Sequence, residues 1–223
     1  MITLHHLNNS RSHRVLWLLE ELELPYEMVT YQRDTKTMLA PPDLKAVHPL
    51  GKSPVITDGG LVFAESAAIL EYLQEEYGNG RLAPSAGTAE HRRLRYWMHY
   101  AEGSAMPPLL LRLVFDRVAN GPMPFFIRPV ARAIAKGANR AFIGPQLELH
   151  LNYMEQELSK SEWFAGADFS IADIQMSFPL QAAQARAGLN ESRPRLAAFL
   201  QRIQARPAYQ RAMERGGPVM PGR

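Results

Sequence analysis

Ser66 follows Glu65 and opens the apolar-periodic run Ala67 to Leu73, so it stands where a helix begins. A helix N-terminus presents free backbone N–H groups and the positive end of its dipole, which together suit an anion. Upstream, Gly51-Lys52-Ser53-Pro54 leads into Val55-Ile56. Pro54 cannot donate to a central ladder, so it belongs at a strand start or in a special bend, including a cis peptide bond. Asp58-Gly59-Gly60 between two apolar runs predicts a tight hairpin. Loop, proline, strand, hairpin and helix thus lead to an anion site. Four of the 6 Lys and Arg residues in positions 1–80, namely Arg33, Lys36, Lys45 and Lys52, fall close together in sequence. A second serine, Ser10 in Asn8-Asn9-Ser10-Arg11-Ser12, precedes another helical run. A serine there is ordinarily just a helix cap, and of Ser10 and Ser12 the better candidate for that cap is Ser12.

Other chemistry is poorly supported. His5, His6 and His13 have no carboxylate or cysteine partner at metal-ligand spacing, and adjacent strand histidines face opposite ways. No Gly-x-Ser-x-Gly elbow and no phosphate loop occur. Gly78-Asn79-Gly80-Arg81-Leu82-Ala83 matches a dinucleotide fingerprint in letters only, because it follows a helix rather than a strand. The chain of 223 residues has no cysteine, which removes disulfides, thiolate ligands and a cysteine nucleophile, and fits a reducing compartment. No apolar run is long enough to span a membrane. The first residues lack the basic and apolar regions of a signal peptide. The net charge of +3 hides an acidic first part, with 6 Lys/Arg against 11 Asp/Glu in residues 1–80, and a basic remainder with 19 against 11. The arginines of that remainder are spread over helical segments rather than gathered with aromatics, so they predict a solvated surface and not a nucleic-acid site.

The elements that must position these groups follow from periodicity. Ile2 to His6 alternates as a first strand, Ser12 to Glu23 carries Val15, Leu18, Leu19 and Leu22 at helical spacing, and Tyr26 to Tyr31 alternates again. Strand, helix, strand implies a parallel βαβ unit. Residues 33–50 predict a loop with a short helix. The hairpin and a helix over Glu65–Tyr77 complete an α/β domain over residues 1–78, followed by a linker over 79–87. Residues 88–215 show no strand and predict an all-helical domain. Its helices include His91 to Tyr100, Leu109 to Val118, one long stretch from Ala138 to Leu158 with a possible kink at Pro145, and a late amphipathic helix through Leu196, Phe199, Leu200 and Ile203. The tail, 216–223, is expected to be disordered. Ser170 and Asp173 form an S-x-x-D capping box.

The segment from Ser53 to Ser66 resembles the glutathione-binding half of the thioredoxin-like domain of cytosolic glutathione transferases, and Asn8 to Leu22 resembles the catalytic loop of a serine-type bacterial and fungal subgroup. The resemblance implies a mixed four-stranded sheet with an all-α helical-bundle domain after it, and glutathione as co-substrate with no metal. It implies that Ser53, before a cis-Pro54, pairs its backbone with the cysteinyl part of glutathione, and that Glu65 and Ser66 hold the γ-glutamyl end. Ser10, four residues before Arg14, takes the role of the hydroxyl that stabilises the thiolate, with Asn9 in reserve. Lys52 and Lys36 are candidates for the glycyl carboxylate, against the plain reading of each as a solvated lysine. Glu102 is a candidate for reaching a neighbouring subunit's ligand. Met106, Leu109, Leu110, Phe115, Phe125 and Phe126 are candidates for the electrophile's apolar wall, with the run 122–129 near the entrance.

The implied protein is a cytoplasmic homodimeric enzyme that joins the glutathione thiolate to hydrophobic electrophilic small molecules. Its rivals are a peroxidase, dehalogenase or isomerase using the same thiolate, and a non-catalytic glutathione-binding or assembly module. Neither nucleic acid nor membrane is an expected partner.

Overall fold

The computed structural model describes residues 1–189 and 192–219. Its first part is a four-stranded mixed sheet of order β2-β1-β3-β4, made of β1 (Ile2–Leu7), β2 (Tyr26–Tyr31), β3 (Val55–Asp58) and β4 (Leu61–Ala64). β1 runs parallel to β2, while β3 is antiparallel to both β1 and β4. The parallel pair is joined by α1 (Ser12–Leu22), whose Val15, Leu16, Leu18 and Leu19 are wholly buried. Helix α2 (Leu44–Val47) interrupts the 33–50 loop, and α3 (Ser66–Tyr77) follows the hairpin. The Ser53–Pro54 bond is cis.

The second part is helical: α4 (Ala89–Tyr100), α5 (Met106–Asn120), α6 (Arg128–Ala138), α7 (Gly144–Lys160), α8 (Ile171–Arg186), α9 (Pro194–Gln204) and α10 (Pro207–Gly216). Thr88 caps α4 by accepting from the His91 N–H at 3.1 Å. Two wide π turns, Ala101–Ala105 and Asn139–Ile143, join α4 to α5 and α6 to α7. The stretch expected over 138–158 is helical throughout, as the second π turn followed by α7, and it continues directly from α6. Pro145 sits in the first turn of α7, directly after the second π turn, where its missing N–H costs little. α6 was not anticipated from the sequence, because prolines at 122, 124 and 129 mask its start.

One apolar core joins the two parts, running from Leu4, Trp17 and Ile69 to Trp97, Phe164 and Leu200. The tail departs from its expectation. Gly216 closes α10 and its carbonyl meets the His6 ring nitrogen at 3.0 Å, while Val219 is buried against the core. Residues 220–223 lie outside the described residues.

Candidate active site

A cleft of about 600 Å³ opens between the sheet domain and the end of α4. Lys52, Ser53, Pro54, Glu65 and Ser66 line it, together with Arg11, His99 and Glu102. Six of these, Glu102 included, were singled out in the sequence, and three separate segments bring them together. The Ser53 hydroxyl donates to the His5 carbonyl on β1 at 3.0 Å, which pins the cis-proline turn to the sheet. Gly51, at φ +56, makes the turn before it; an added Cβ would lie 2.6 Å from the Lys45 Cγ. Ser66 is buried at the first residue of α3, and Glu65 precedes it at φ 74, ψ 120 with its side chain exposed. Such a backbone costs about 1–3 kcal/mol and persists where the surroundings impose it. Lys36 lies elsewhere. Its backbone N–H donates to Asp34 at 3.0 Å, its side chain is exposed, and it lines neither this cleft nor the one described below.

The start of α1 differs from its sequence reading. Ser12 is inside the helix, and its hydroxyl bonds back to β1, at 2.9 Å from His6 Nδ1 and 3.2 Å from the Leu7 carbonyl. Ser10 takes the capping role assigned to Ser12. Its Oγ accepts from the Ser12 N–H at 3.2 Å and lies 2.8 Å from the Ser12 Oγ. Ser10 is only 5% exposed and lines neither cleft. Its neighbours point outward instead. Asn9, at φ 50, adopts the left-handed conformation that asparagine tolerates, and it lines the second cleft.

Arg11 forms a two-pronged pair with Glu102, Nε to Oε1 at 2.8 Å and Nη2 to Oε2 at 3.0 Å. Arg14 donates to Glu102 at 2.7 Å and to Gln175 at 3.0 Å. Glu102 sits in the first π turn, a local widening of the helix often found at functional sites. Burial pushes its carboxyl up, but Arg14 and Arg11 together outweigh burial and hold it below the ordinary value. Burial drives the enclosed Arg14 guanidinium down to about 10, with Glu102 opposing. Glu102 thus pairs with two arginines of its own chain while lining the cleft.

A second cleft of about 300 Å³ lies beside the first, and Arg11 lines both. Met106, Leu109 and Leu110 line it as expected. Phe115, Phe125 and Phe126 do not, and Phe125 is 79% exposed to solvent away from it. No residue of 122–129 lines either cleft. Arg33, noted in the sequence only as one of four early cations, lines the second cleft, as do Arg117, Phe178 and Arg186, which sequence reasoning missed. Arg33 also braces the Asn8-Asn9 turn, its Nε donating to the Asn8 carbonyl at 3.2 Å and its Nη2 to the Asn9 carbonyl at 3.3 Å. Its position in a cluster of early cations was the one available signal.

Residues 1–75 match the family model described as the N-terminal domain of glutathione S-transferase, and residues 135–207 match that of its C-terminal domain. Glutathione S-transferase 3 of Schizosaccharomyces pombe is 42% identical over 184 residues, which is 82% of this chain and 75% of that protein. Glutathione S-transferase 1 of Saccharomyces cerevisiae is 33% identical over 223 residues, 96% of this chain and 95% of that one. The crystal structure of a glutathione S-transferase from Actinobacillus pleuropneumoniae superposes with a TM-score of 0.81 at 35% identity, covering 98% of this chain and 94% of its own. By its sheet, its helical second part and these similarities, the chain belongs to the glutathione S-transferase family.

Proposed function

We propose that this enzyme binds glutathione in the 600 Å³ cleft and directs its thiolate towards an electrophilic carbon in the neighbouring one. One observation carries the reading: Lys52, Ser53, Pro54, Glu65 and Ser66 meet in a single cleft that shares Arg11 with a second cleft lined in part by Met106, Leu109, Leu110 and Leu113. In this pose the backbone of Ser53 pairs with the cysteinyl unit. Glu65 takes the γ-glutamyl ammonium, and Ser66 with the α3 N-terminus takes its carboxylate. Lys52 meets the glycyl carboxylate. Lys36 stands further off and acts on that carboxylate only through its long-range charge.

A free thiol has a pKa of about 8.5, so activation means holding the thiolate. Arg11 and the Asn9 amide are the donors that line the cleft nearest the α1 N-terminus, and they supply positive potential there. Ser10 supports them by accepting from the Ser12 N–H, and its own hydroxyl reaches sulfur only by turning away from Ser12. The serine-type label therefore has less support than a donor set centred on Asn9 and Arg11. A homodimer and a cytoplasmic location, both typical of the family, belong to the same proposal. The exposed Leu61 and Val62 of β4 and Tyr96 of α4 offer apolar area for a second copy.

The test is an ultraviolet titration of glutathione bound to the wild type, Asn9→Ala and Ser10→Ala. The expected wild-type thiol pKa lies at least about 1 unit below that of the free thiol. Asn9→Ala should return it upward by more than Ser10→Ala does. The opposite order would restore Ser10 as the main donor, and no glutathione binding in any of the three would remove the reading.

A further inference from the structure

The second cleft carries more positive charge than a neutral electrophile requires. Arg11, Arg33, Arg117 and Arg186 line it, and none of its described lining residues is acidic. Arg11 is engaged by Glu102, and the Arg33 guanidinium donates only to the carbonyls of Asn8, Asn9 and Met38. The side chains of Arg117 and Arg186 form no hydrogen bond or ion pair with any described residue. Burial, then Arg11 and Arg117, push the Arg33 guanidinium below its ordinary value. Burial and then Arg117 do the same to Arg186, with Asp116 opposing. Glu102 answers Arg11 and Asp116 partly answers Arg186, but four cations in one cleft still leave an excess of like charge that is costly and that a ligand anion would offset.

The order of residues along two helices gives such a ligand a direction. Met106, Leu109, Leu110, Leu113 and Arg117 share one face of α5 and line the cleft. At 1.5 Å per residue, Met106 and Arg117 stand about 16 Å apart along the axis. On α8, the Phe178 ring lies under the Arg11 and Arg14 guanidinium carbons, at 4.8 and 5.0 Å from its centroid. Arg186 follows about 12 Å further along that helix. Both helices therefore lead from the Arg11 end, shared with the glutathione cleft, past an apolar middle to Arg117 and Arg186. Helical side chains lean back towards the N-terminus, so the cationic end sits on the order of 10 Å from the Arg11 end.

We propose that the second substrate is an amphipathic acid, with its electrophilic carbon at the Arg11 end, its apolar body along α5, and a carboxylate or sulfonate held by Arg117 and Arg186. The reaction rests on the glutathione reading above; the anion site does not. For an aryl chloride, the thiolate attacks the ring carbon, the C–S bond forms, and chloride leaves with the electron pair of the C–Cl bond. The thiol proton goes to solvent.

The test compares N-(4-chloro-3,5-dinitrobenzoyl)-6-aminohexanoate with its methyl ester, which differ only in charge at the far end. The expected kcat/KM of the wild type with glutathione is at least about tenfold higher for the acid, as one or two charge-assisted contacts allow. That acid-to-ester ratio should fall towards one in Arg117→Gln/Arg186→Gln and shrink in high salt. A ratio near one in the wild type, or one that the double variant leaves intact, overturns the proposal. The ratio is taken within each protein, so a general loss of activity does not mimic the effect. Binding of 8-anilinonaphthalene-1-sulfonate, followed by fluorescence without glutathione, gives a second readout. Binding weakened about tenfold in the double variant supports the anion site even if glutathione chemistry fails with every electrophile, which would sink only the glutathione reading. Unchanged dye binding together with an unchanged ratio sinks the anion site alone.

Discussion

Glu65 holds a backbone conformation at φ 74, ψ 120 that only glycine adopts freely, one residue before the buried Ser66. A strained residue next to a proposed ligand contact indicates that position has been favoured over stability. Glu65→Gly should therefore raise stability by about 1 kcal/mol or less, the relieved strain being partly offset by glycine's added freedom when unfolded. It should also weaken glutathione binding about tenfold through loss of the carboxylate. Denaturant melts beside calorimetric titration check both, and tight binding by the variant would take Glu65 out of the site. Arg14 illustrates a different conflict at this scale. Its Nε and Nη2 find no hydrogen-bond partner among the described residues, so its charge depends on Glu102, Gln175 and the Phe178 ring.

Helix α8 shows how an element is held when its start is buried. Asp173 accepts from the N–H groups of Ser170 and Phe164, each at 2.9 Å, and from the Ser170 hydroxyl at 3.1 Å. The capping box read in the sequence thus also ties down the loop before it. Asp173→Ala leaves these donors buried without an acceptor and should cost about 3 kcal/mol in a denaturant melt. Glutathione affinity of the folded fraction should be unchanged, because Asp173 lines neither cleft. Burial raises the Asp173 carboxyl from 3.8 to about 6, against the hydrogen bonds that lower it. The folded state thus binds this proton more tightly than the unfolded chain. The contribution is fullest below 3.8 and shrinks as the pH rises through about 6. The stability gap between wild type and Asp173→Ala should narrow over that interval. A gap that widens instead would show the carboxylate to be the favoured form in the fold.

Across the whole molecule, α10 returns to clasp α1. Arg206 forms a two-pronged pair with Glu21 at 2.6 and 2.8 Å, and Arg211 reaches Glu20 at 2.7 Å. Glu21 also accepts from the indole N–H of the fully buried Trp17 at 2.8 Å. The two partners of that ion pair should therefore respond unequally. Arg206→Ala breaks a part-exposed pair and should cost about 1 kcal/mol or less. Glu21→Ala also orphans the indole N–H and should cost about 2 kcal/mol. Equal losses in urea melts would place the energy in the ion pair. Because one apolar core runs through both parts, each variant should still unfold in a single transition.

Local chemistry was enough to specify much of this protein. Alternation delimited β2, proline and glycine placed the 51–60 turns, and the Glu65-Ser66 step marked a helix start, since each depends on backbone preferences within a few residues. The family resemblance rested on the same short stretches. Tertiary structure decided what depends on contacts between distant segments. Ser10, not Ser12, accepts from a backbone N–H at the start of α1, because the Ser12 hydroxyl found His6 and Leu7 on β1. Glu102, in the first π turn, meets Arg11 and Arg14, which lie 91 and 88 positions earlier in the chain. Arg11, Arg33, Arg117 and Arg186 come from four separate stretches of the chain, and only packing brings their charges to one cleft. Sequence periodicity records which face of a helix is buried. It holds no record of which other face it meets, and the character of the second cleft was set there.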